Sequence, residues 1–576
     1  MAGHRWRLSD LRVITLGVVI VVAWGGIGYR LFQVQGAEAA ALSERGFNQR
    51  VRHEEILPKR GTIYDRDGVE LAVTVYGKSL IGDPLLVEDP AAAAAVLSPL
   101  LGENLVDLTN RLDGEGRYVL LSRGLEHAEA EVLGNAMAEA ELEGFALVED
   151  AVRVYPSGSL AAPVIGLTRL DDGGGIEGIE SIMDEALSGR TGKRIVERDA
   201  AGRAIPQGEY LIEPATPGSD VHLTIDREIQ HTAERALSTA LEQTNAVGGS
   251  VVVMVPETGR ILAMVSFPAF DPNDRSSLDA DSLRNRAVAD VYEPGSTLKV
   301  VAVAGALELG IVGPETVIET PPEIIIGDET FEDVAEHPRA MTVADIVAKS
   351  SNVGTIKIQE RLGNERHYEY LDAFGLGRPS SIDFNPESAG RLDHFTDWCH
   401  STCGASAAIG YGIGATPLQM AGLYATIAND GQWVEPHVVA EIVGPDGDRI
   451  SSEPRTRRVI SAETAVMLRR MLQQVVEGGT GFRAEINGFT VGGKTGTSDK
   501  FDVERGEYST TETISWFAGI APIDDPAIVA VVVLDTPTGI LEDGTELKFG
   551  GASAAPVFAE IAESALHQLG VAPDKG

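Results

Sequence analysis

Cysteine is almost absent from this chain, which has two, Cys399 and Cys403, in 576 residues. Two cysteines cannot form the disulfide framework that holds a small secreted domain together. Basic residues are also scarce: 47 lysines and arginines against 86 aspartates and glutamates give a net charge of −39. So acidic a surface repels phosphate backbones, which argues against nucleic-acid binding. With 43% hydrophobic and 23% charged residues, the composition is that of a folded chain.

Long apolar stretches are equally rare, and one of them decides the class of protein. The run Val13 to Tyr29 contains no charged residue and is flanked by Arg12 and Arg30. It is just long enough to span a bilayer if the two arginines extend to its surfaces. The short preceding segment has an excess of arginine, which by the positive-inside rule predicts a cytoplasmic N-terminus. No later stretch matches this run, so a protein with several spans is not expected.

A cleaved signal peptide is the alternative interpretation of this N-terminus. The triplet Ala39-Ala40-Ala41 resembles a small-residue cleavage site. However, the apolar run is longer than a usual signal core, and the triplet lies about ten residues beyond it. We therefore favour an uncleaved anchor with the rest of the chain exported.

The chain is too long for one core, and its patterning divides it into several parts. We expect a cytoplasmic tail at 1–12, an anchor at 13–35, a mixed α/β region at 36–215 and a second region at 216–576. In the α/β region, residues 62–73 predict a hairpin around the turn Asp67-Gly68. Asp89-Pro90 predicts the start of a helix, with the aspartate as its cap.

The second region predicts strands at its two ends with helices and loops between them. Its first part predicts a strand at 221–225, a helix at 227–244 and a hairpin of strands 250–255 and 260–265. Its last part predicts strands at 489–498, 513–521 and 527–535 and a closing helix at 556–569. These patterns indicate one sheet whose halves are far apart in sequence.

Three short motifs in the second region carry candidate chemistry. Ser296 follows a Pro-Gly turn and precedes Lys299 by three residues, so a helix would put both side chains on one face. A helix N-terminus also favours the negative charge of an attacking hydroxyl. The segment Ser350-Ser351-Asn352 follows a predicted helix, and Lys494-Thr495-Gly496-Thr497 lies on a predicted strand. Each motif alone occurs by chance, but all three, in order in an exported chain, indicate a catalytic site.

The motif set resembles that of the penicillin-binding proteins. Further matches cover nearly the whole chain and point to class B members, which carry a non-catalytic pedestal. They are Arg60–Gly68, Arg153–Pro156, Gly178–Glu180, Asn285–Ala287, Gly410–Gly412 and Thr416–Gln419. The segment Asp290–Glu293 is similar to the division-type septal transpeptidases rather than the elongation type. Arg60 and Asp65 are expected to hold the pedestal hairpin rather than to do chemistry.

The resemblance implies a role for each motif residue. Ser296 would be the nucleophile, Lys299 the base that takes its proton, and Ser350 a relay between Ser296, Lys494 and the leaving amine. Asn352 would hold the amide of the substrate peptide. Lys494, Thr495 and Thr497 would bind the terminal carboxylate of D-alanyl-D-alanine, and the backbone N–H groups of Ser296 and Thr497 would form the oxyanion hole.

Physical chemistry adds two expectations to these roles. Gly496 has no side chain, which would let the substrate lie close along its strand. A lysine with an ordinary pKa is protonated at pH 7, so Lys299 has to be made neutral by burial and by the nearby charge of Lys494. Lys494 is expected to stay cationic because it faces the substrate carboxylate.

The predicted protein has a single N-terminal transmembrane helix, a mixed α/β class B pedestal (dimerisation-type) domain and a transpeptidase domain of the penicillin-binding and serine β-lactamase type. In that last domain we expect an antiparallel sheet with helices on both sides. The predicted reaction cross-links peptidoglycan stem peptides in the bacterial plasma membrane without cofactor or metal, with β-lactams as inhibitors. Anchor and pedestal are predicted to recognise a membrane-embedded polymerase of the shape-elongation-division-sporulation type.

Several alternatives are weaker. A β-lactamase or D,D-carboxypeptidase needs neither the pedestal nor the anchor, and a β-lactam sensor would need more spans or a cytoplasmic effector. An idle division scaffold conflicts with three intact motifs, and no glycosyltransferase resemblance precedes residue 215. An elongation-type class B enzyme is the nearest alternative.

The two cysteines predict a short local disulfide between Cys399 and Cys403 in an oxidising compartment. Free buried thiols are one alternative. A zinc site that adds His394 or His400 is the other, although it needs further ligands in the right geometry.

Overall fold

The computed structural model describes residues 8–198, 204–382, 384, 386–399, 402–502 and 505–575. Two compact units account for them: one contains residues 8–59 and Gly189–Pro217, the other Arg60–Ser188 and the chain from Gly218 onward. The described helices and strands are labelled α1–α19 and β1–β23 in chain order. Each unit is built around its own strands.

The first unit begins with the apolar helix α1 (Leu8–Phe32), which continues through a short irregular turn to α2 (Ala39–Arg50). Within the described residues, the stretch Leu11–Gly36 is long and apolar enough to cross a membrane, and none of it is buried by the protein. This helix fits a single-pass membrane anchor. An antiparallel sheet of β1 (Val51–Ile56), β8 (Gly192–Arg198) and β9 (Ala204–Glu213) completes the unit.

The pedestal part of the second unit is a sheet covered by helices. The predicted hairpin is present as β2 (Ile63–Tyr64) and β3 (Glu70–Gly82), and Gly68 has the positive φ of 84° that its turn requires. Beside β3 lie β4 (Val119–Leu125) and β5 (Phe145–Val154). The helices α3 (Pro90–Leu101), α4 (Leu105–Leu112) and α5 (His127–Glu139) bury a leucine-rich core against these strands. The predicted cap of α3 is confirmed, because Asp89 accepts a hydrogen bond from the Ala92 N–H at 3.0 Å.

A buried ion cluster ties the pedestal strands to the small elements that follow them. These elements are α6 (Ala162–Ile165), β6 (Leu167–Thr168), β7 (Gly175–Glu177), α7 (Gly178–Ile182) and α8 (Asp184–Ser188). The carboxylate of Glu180 accepts from Arg60 Nε and from Arg153 Nε, each at 2.6 Å, and Glu180 is fully buried. Asp65 accepts from the N–H groups of Asp67 and Val69 and so closes the hairpin turn. These contacts agree with the structural role expected for Arg60 and Asp65.

The sheet of the transpeptidase part has five antiparallel strands in the order β12, β11, β23, β22, β21. They are β11 (Gly248–Met254), β12 (Ile261–Phe267), β21 (Gly492–Asp502), β22 (Glu507–Ala521) and β23 (Ile528–Asp535). Val251 and Val253 pack with α9 (Arg227–Thr244) and α19 (Ala554–Gln568) on one face. Val252 and Met254 pack on the other face, as strand alternation requires. The predicted sheet with distant halves and helices on both sides is confirmed.

Helices between the two halves of the sheet build its second face. They are α10 (Ala280–Leu283), α11 (Arg286–Ala289), α12 (Lys299–Glu308), α13 (Val343–Lys349), α14 (Asn352–Leu362), α15 (Asn364–Ala373), α16 (Cys403–Ala408), α17 (Pro417–Ala428) and α18 (Ala462–Gly478). This stretch also holds strands, which the sequence pattern had not indicated. They are β13 (Val317–Glu319), β14 (Glu323–Ile326), β15 (Glu329–Glu332), β16 (Ala340–Thr342), β17 (Gln432–Val434), β18 (Val439–Val443), β19 (Arg449–Ser451) and β20 (Thr456–Arg458). β10 (Asp220–Leu223) joins β18 to β2, so one sheet continues from pedestal to transpeptidase part.

Candidate active site

Ser296 lies in a single 3₁₀ turn, Gly295–Leu298, that leads directly into α12. Gly295 has φ 54°, and a Cβ there would come within 2.8 Å of the Thr497 carbonyl oxygen, so the turn before the serine needs glycine. Ser296 is partly exposed, while Lys299, the first residue of α12, is 2% exposed. The turn thus presents the hydroxyl to solvent and directs the lysine inward.

The buried ammonium of Lys299 contacts the second motif. Its Nζ donates to the Ser350 carbonyl at 2.6 Å, to Asn352 Oδ1 at 2.7 Å and to Ser350 Oγ at 3.3 Å. Among the described residues no hydrogen bond joins Lys299 Nζ to Ser296 Oγ. Lys299 therefore lies beneath the nucleophile, attached to the Ser350 segment.

Ser350 Oγ connects the two lysines of the site. It accepts from Lys494 Nζ at 2.8 Å and, more weakly, from Lys299 Nζ at 3.3 Å. Ser350 itself ends α13 in the left-handed conformation, with φ 61°, an unusual backbone state for a serine. Because both lysines donate to Ser350 Oγ, its own proton can point to a third group.

Asp333 supports this segment and was not found by sequence reasoning. Its carboxylate accepts from Ser351 Oγ at 2.9 Å, from the Val353 N–H at 3.1 Å and from the Asn352 N–H. It therefore caps α14 together with Ser351, which accepts from the Gly354 N–H. Asp333 belongs to no motif, and 18 residues separate it from Ser351.

Asn352 is held by the protein on both sides of its amide. Its Oδ1 accepts from Lys299 Nζ, and its Nδ2 donates to the Glu332 carbonyl at 2.8 Å. In this structure the amide positions Lys299. One lone pair of Oδ1 and one N–H of Nδ2 are left over, and these can serve the substrate amide expected from the resemblance.

The third motif lies on β21, an edge strand of the sheet. Lys494 is fully buried and donates to Ser350 Oγ and, at 3.1 Å, to the Thr495 carbonyl. Thr495 bonds Thr480 Oγ1 at 2.8 Å, and Thr497 Oγ1 accepts from the Gly550 N–H at 3.2 Å. Strand alternation sends Lys494 inward, while Thr495 lines the cleft.

Gly496 has a structural reason that the sequence did not reveal. A Cβ at this position would lie 2.6 Å from the Pro294 carbonyl oxygen and 2.9 Å from Thr297 Cγ2. The missing side chain lets the turn that contains Ser296 pack against β21, and the expected approach of substrate along the strand stays a prediction. Gly496 thereby sets the distance between the first and third motifs.

Burial controls the charge of both lysines. It lowers the pKa of Lys299 to about 7, against the opposing effect of the negative charge of Asp333. Burial and then the positive charge of Lys299 lower the pKa of Lys494 well below its ordinary value. The shift of Lys299 has the direction that the expected base requires. The cationic state expected for Lys494 depends on a bound substrate carboxylate and stays a prediction.

These groups open onto a cleft of about 340 Å³. Ser296, Ser350, Thr495 and Thr497 form its polar base. Its walls include apolar side chains from separate loops, namely Val334, Phe482 and Phe549. A polar base between apolar walls suits a peptide with a reactive carbonyl group.

The cysteine pair is joined by a disulfide between Cys399 and Cys403, with a Cα–Cα distance of 5.3 Å. The predicted disulfide is confirmed, and the bond takes both thiols that the zinc alternative required. The ring nitrogen Nδ1 of His394 shares a hydrogen bond with Thr396 Oγ1 instead. His400 lies outside the described residues.

Comparisons with known proteins agree with this geometry. Residues 249–563 match the penicillin-binding protein transpeptidase domain family, and residues 55–223 match the penicillin-binding protein dimerisation domain family. The chain therefore belongs to the penicillin-binding proteins, in the class that joins these two domains.

Relatives that match nearly the whole chain are named as penicillin-binding proteins or peptidoglycan D,D-transpeptidases. Penicillin-binding protein PbpB of Mycolicibacterium smegmatis is 33% identical over 99% of this chain and 92% of its own length. Probable peptidoglycan D,D-transpeptidase PenA of Neisseria meningitidis is 33% identical over 98% and 94%. Peptidoglycan D,D-transpeptidase FtsI of Escherichia coli is 32% identical over 92% and 87%. The crystal structure of penicillin binding protein 3 from Mycobacterium tuberculosis with aztreonam has a TM-score of 0.71 and 31% identity, over 90% of this chain and 98% of that one.

Proposed function

We propose that this protein is a membrane-anchored D,D-transpeptidase that cross-links peptidoglycan at the division septum through an acyl-enzyme on Ser296. The observation that carries the site assignment is the placement of Ser350 Oγ, which accepts from both buried lysines beside Ser296. Ser296 and Ser350 line one cleft, and the hydrogen bonds of Ser350 to the two lysines support the proposed roles of nucleophile, base and relay. The relatives named as D,D-transpeptidases support the reaction class.

Neutral Lys299 takes the proton of Ser296 as the Oγ attacks the carbonyl carbon of the penultimate D-alanine. The peptide C–N bond then breaks. The leaving D-alanine amine receives a proton through Ser350, whose hydroxyl lies between the lysines. The N–H groups of Ser296 and Thr497 stabilise the oxyanion.

The second half of the reaction reverses these roles. The amine of a neighbouring stem peptide attacks the ester carbonyl, loses a proton to the lysine–serine pair, and Ser296 is released with its proton restored. In the first half, before the C–N bond breaks, Thr495, Thr497 and Lys494 hold the terminal carboxylate of the donor, which then leaves with the released D-alanine. The arriving carboxylate gives Lys494 the counter-charge that favours its protonated form.

The membrane arrangement completes the proposal. Helix α1 anchors the chain with its N-terminus in the cytoplasm and the catalytic part outside. Anchor and pedestal recognise a membrane-embedded polymerase that supplies new glycan strands, since the exposed apolar surface of α1 is available to a partner helix.

Mass spectrometry of the intact protein with and without benzylpenicillin tests the catalytic assignment. The expected result is one covalent adduct, on the peptide that contains Ser296, and none on Ser296→Ala. Ser509→Ala is the matched control, because Ser509 is on the exposed start of β22, and it should be acylated normally. An adduct on Ser296→Ala would overturn the assignment.

A further inference from the structure

A separate cavity of about 310 Å³ lies in the transpeptidase part, beside the two-stranded sheet of β17 and β20. Its lining combines three arginines, Arg378, Arg455 and Arg457, with Trp433 and Ser380. Clustered arginines are unusual in a chain with a net charge of −39. The contacts of these five side chains show what the cavity can bind.

Two of the arginines have carboxylate partners and one does not. Arg378 pairs with Asp372 at 3.2 Å, and Arg455 pairs with Glu435. Arg457 stacks over the Trp433 ring at 4.3 Å and donates Nη1 to the Ala373 carbonyl. Within the described part of the chain, no carboxylate lies at ion-pair distance from Arg457. Burial, and then repulsion by Arg378, lower the pKa of Arg457 to about 10, while the negative charge of Asp372 opposes this shift.

Two further donors at the cavity also lack acceptors among the described residues. Ser380 is 8% exposed, and its buried Oγ has no hydrogen-bond partner. Trp433 Nε1 has no hydrogen-bond acceptor in the same set of residues. It faces Gly375 and Gly422, where an added Cβ would lie 3.6 and 3.5 Å from it. Two lining glycines therefore keep the space in front of the indole N–H open.

Two other polar side chains near the cavity, Gln419 and Glu387, already have hydrogen-bond partners. Gln419 Nε2 donates to the carbonyls of Arg378 and Ala389, and its Oε1 accepts from the Thr416 N–H. The Glu387 carboxylate accepts from the Ser380 N–H at 2.6 Å and does not line the cavity. The unmatched groups, Arg457, Trp433 Nε1 and Ser380 Oγ, are all donors, so a ligand that matches them is an acceptor with negative charge.

We propose that this cavity is a binding site for the oxyanion group of a small ligand, a carboxylate or a phosphate. The Arg457 guanidinium supplies the counter-charge, and Trp433 Nε1 donates to one of the remaining oxygens. The volume is at the lower end of the range for small-molecule sites. None of these residues belongs to the catalytic motifs, so the site is additional to the transpeptidase cleft.

The competing explanation is that Arg457 only stabilises the pairing of β17 with β20, because it is the direct cross-strand partner of Trp433. A purely structural role of Arg457 accounts for the stacking, but it requires neither an open indole N–H nor a buried hydroxyl without a partner. The two explanations differ in a measurable way, since a purely structural role predicts no anion binding.

Ligand-observed NMR on the full-length protein in detergent separates them. The protein is first acylated with benzylpenicillin, so that the catalytic cleft cannot take up a carboxylate. Inorganic phosphate and N-acetylglycine are then titrated in separate arms. We expect saturable binding in at least one arm, and the arm that saturates identifies the oxyanion.

The variants locate the binding. Arg457→Gln should weaken it about tenfold, as loss of a charge-assisted hydrogen bond predicts. Trp433→Phe, which keeps the ring and removes the N–H, should weaken it severalfold. Arg449→Gln is the matched control, since it removes one exposed positive charge on β19, outside the cavity, and should leave binding unchanged. Penicillin acylation confirms that each variant is folded. No saturable binding in either arm, or equal weakening by Arg457→Gln and Arg449→Gln, would overturn the proposal.

Discussion

At the scale of single residues, we expect the charge of Lys299 to control the acylation rate. Its pKa of about 7 means that the base is neutral above this pH and protonated below it. The acylation rate constant for benzylpenicillin should therefore fall as the pH drops through about 7, approaching tenfold per pH unit.

The side chain of Lys299→Arg cannot be deprotonated, so the acylation rate constant should fall by about 10²–10⁴-fold at every pH. Lys494→Arg keeps a donor for the carboxylate and should retain a larger part of the rate. Stopped-flow acylation across pH measures all three, and a flat profile for the native protein would rule out Lys299 as the base.

Asp333 offers a second test at the same scale. Its negative charge opposes the lowering of the Lys299 pKa, so Asp333→Asn should move the acid limb of the acylation profile to lower pH. Ser351→Ala is the matched control, because it removes the hydrogen bond to Asp333 without changing any charge. It should leave the limb in place, although the rate can drop as α14 loses caps. A shift to higher pH in Asp333→Asn, or equal shifts in both variants, would contradict the electrostatic role.

At the scale of elements, what the sequence predicted depended on how local the signal was. The helix at 227–244 matches α9 end to end, because Asp226 caps it and its apolar residues recur at helical spacing. β22 begins at Glu507 rather than near 513, since its first residues are polar and exposed and show no alternation. The sequence pattern revealed the motif residues because each motif is short and contiguous. It did not reveal the role of Asp333 or the contacts at Gly496, since both depend on segments that meet only in the folded chain.

The buried ion cluster around Glu180 connects several elements of the pedestal, and its contribution to the free energy of unfolding can be measured. Glu180 is buried between Arg60 and Arg153, and its removal leaves the buried Arg153 without its carboxylate partner and Arg60 with Asp184 alone. Glu180→Ala should therefore destabilise the pedestal by about 3–5 kcal/mol in denaturant unfolding. Glu185→Ala, an exposed glutamate in the neighbouring α8, should change stability by less than about 0.5 kcal/mol. Similar unfolding midpoints for the two variants would show that the buried ion cluster contributes little to the stability of the pedestal.

At the scale of the whole molecule, anchoring and catalysis should be separable. The catalytic groups all lie in the second unit, whereas α1 belongs to the first. The apolar side chains of α1 are not covered by this chain, and Gly17, Gly25 and Gly28 have no neighbours, which leaves flat surface for a partner helix.

Exchange of residues 1–35 for an unrelated single-span anchor should therefore leave acylation of Ser296 unchanged and impair septum formation in the native host. The reason is that the new helix keeps the protein in the membrane but lacks the surface that a membrane-embedded polymerase would contact. The double substitution Val21→Leu and Val22→Leu is the matched control, because it preserves the glycines and the apolar length of α1. Benzylpenicillin labelling reports the catalytic domain, and cell length reports division. Normal division with the foreign anchor would show that α1 serves only to hold the enzyme at the membrane, and recognition of the polymerase would then have to lie in the pedestal.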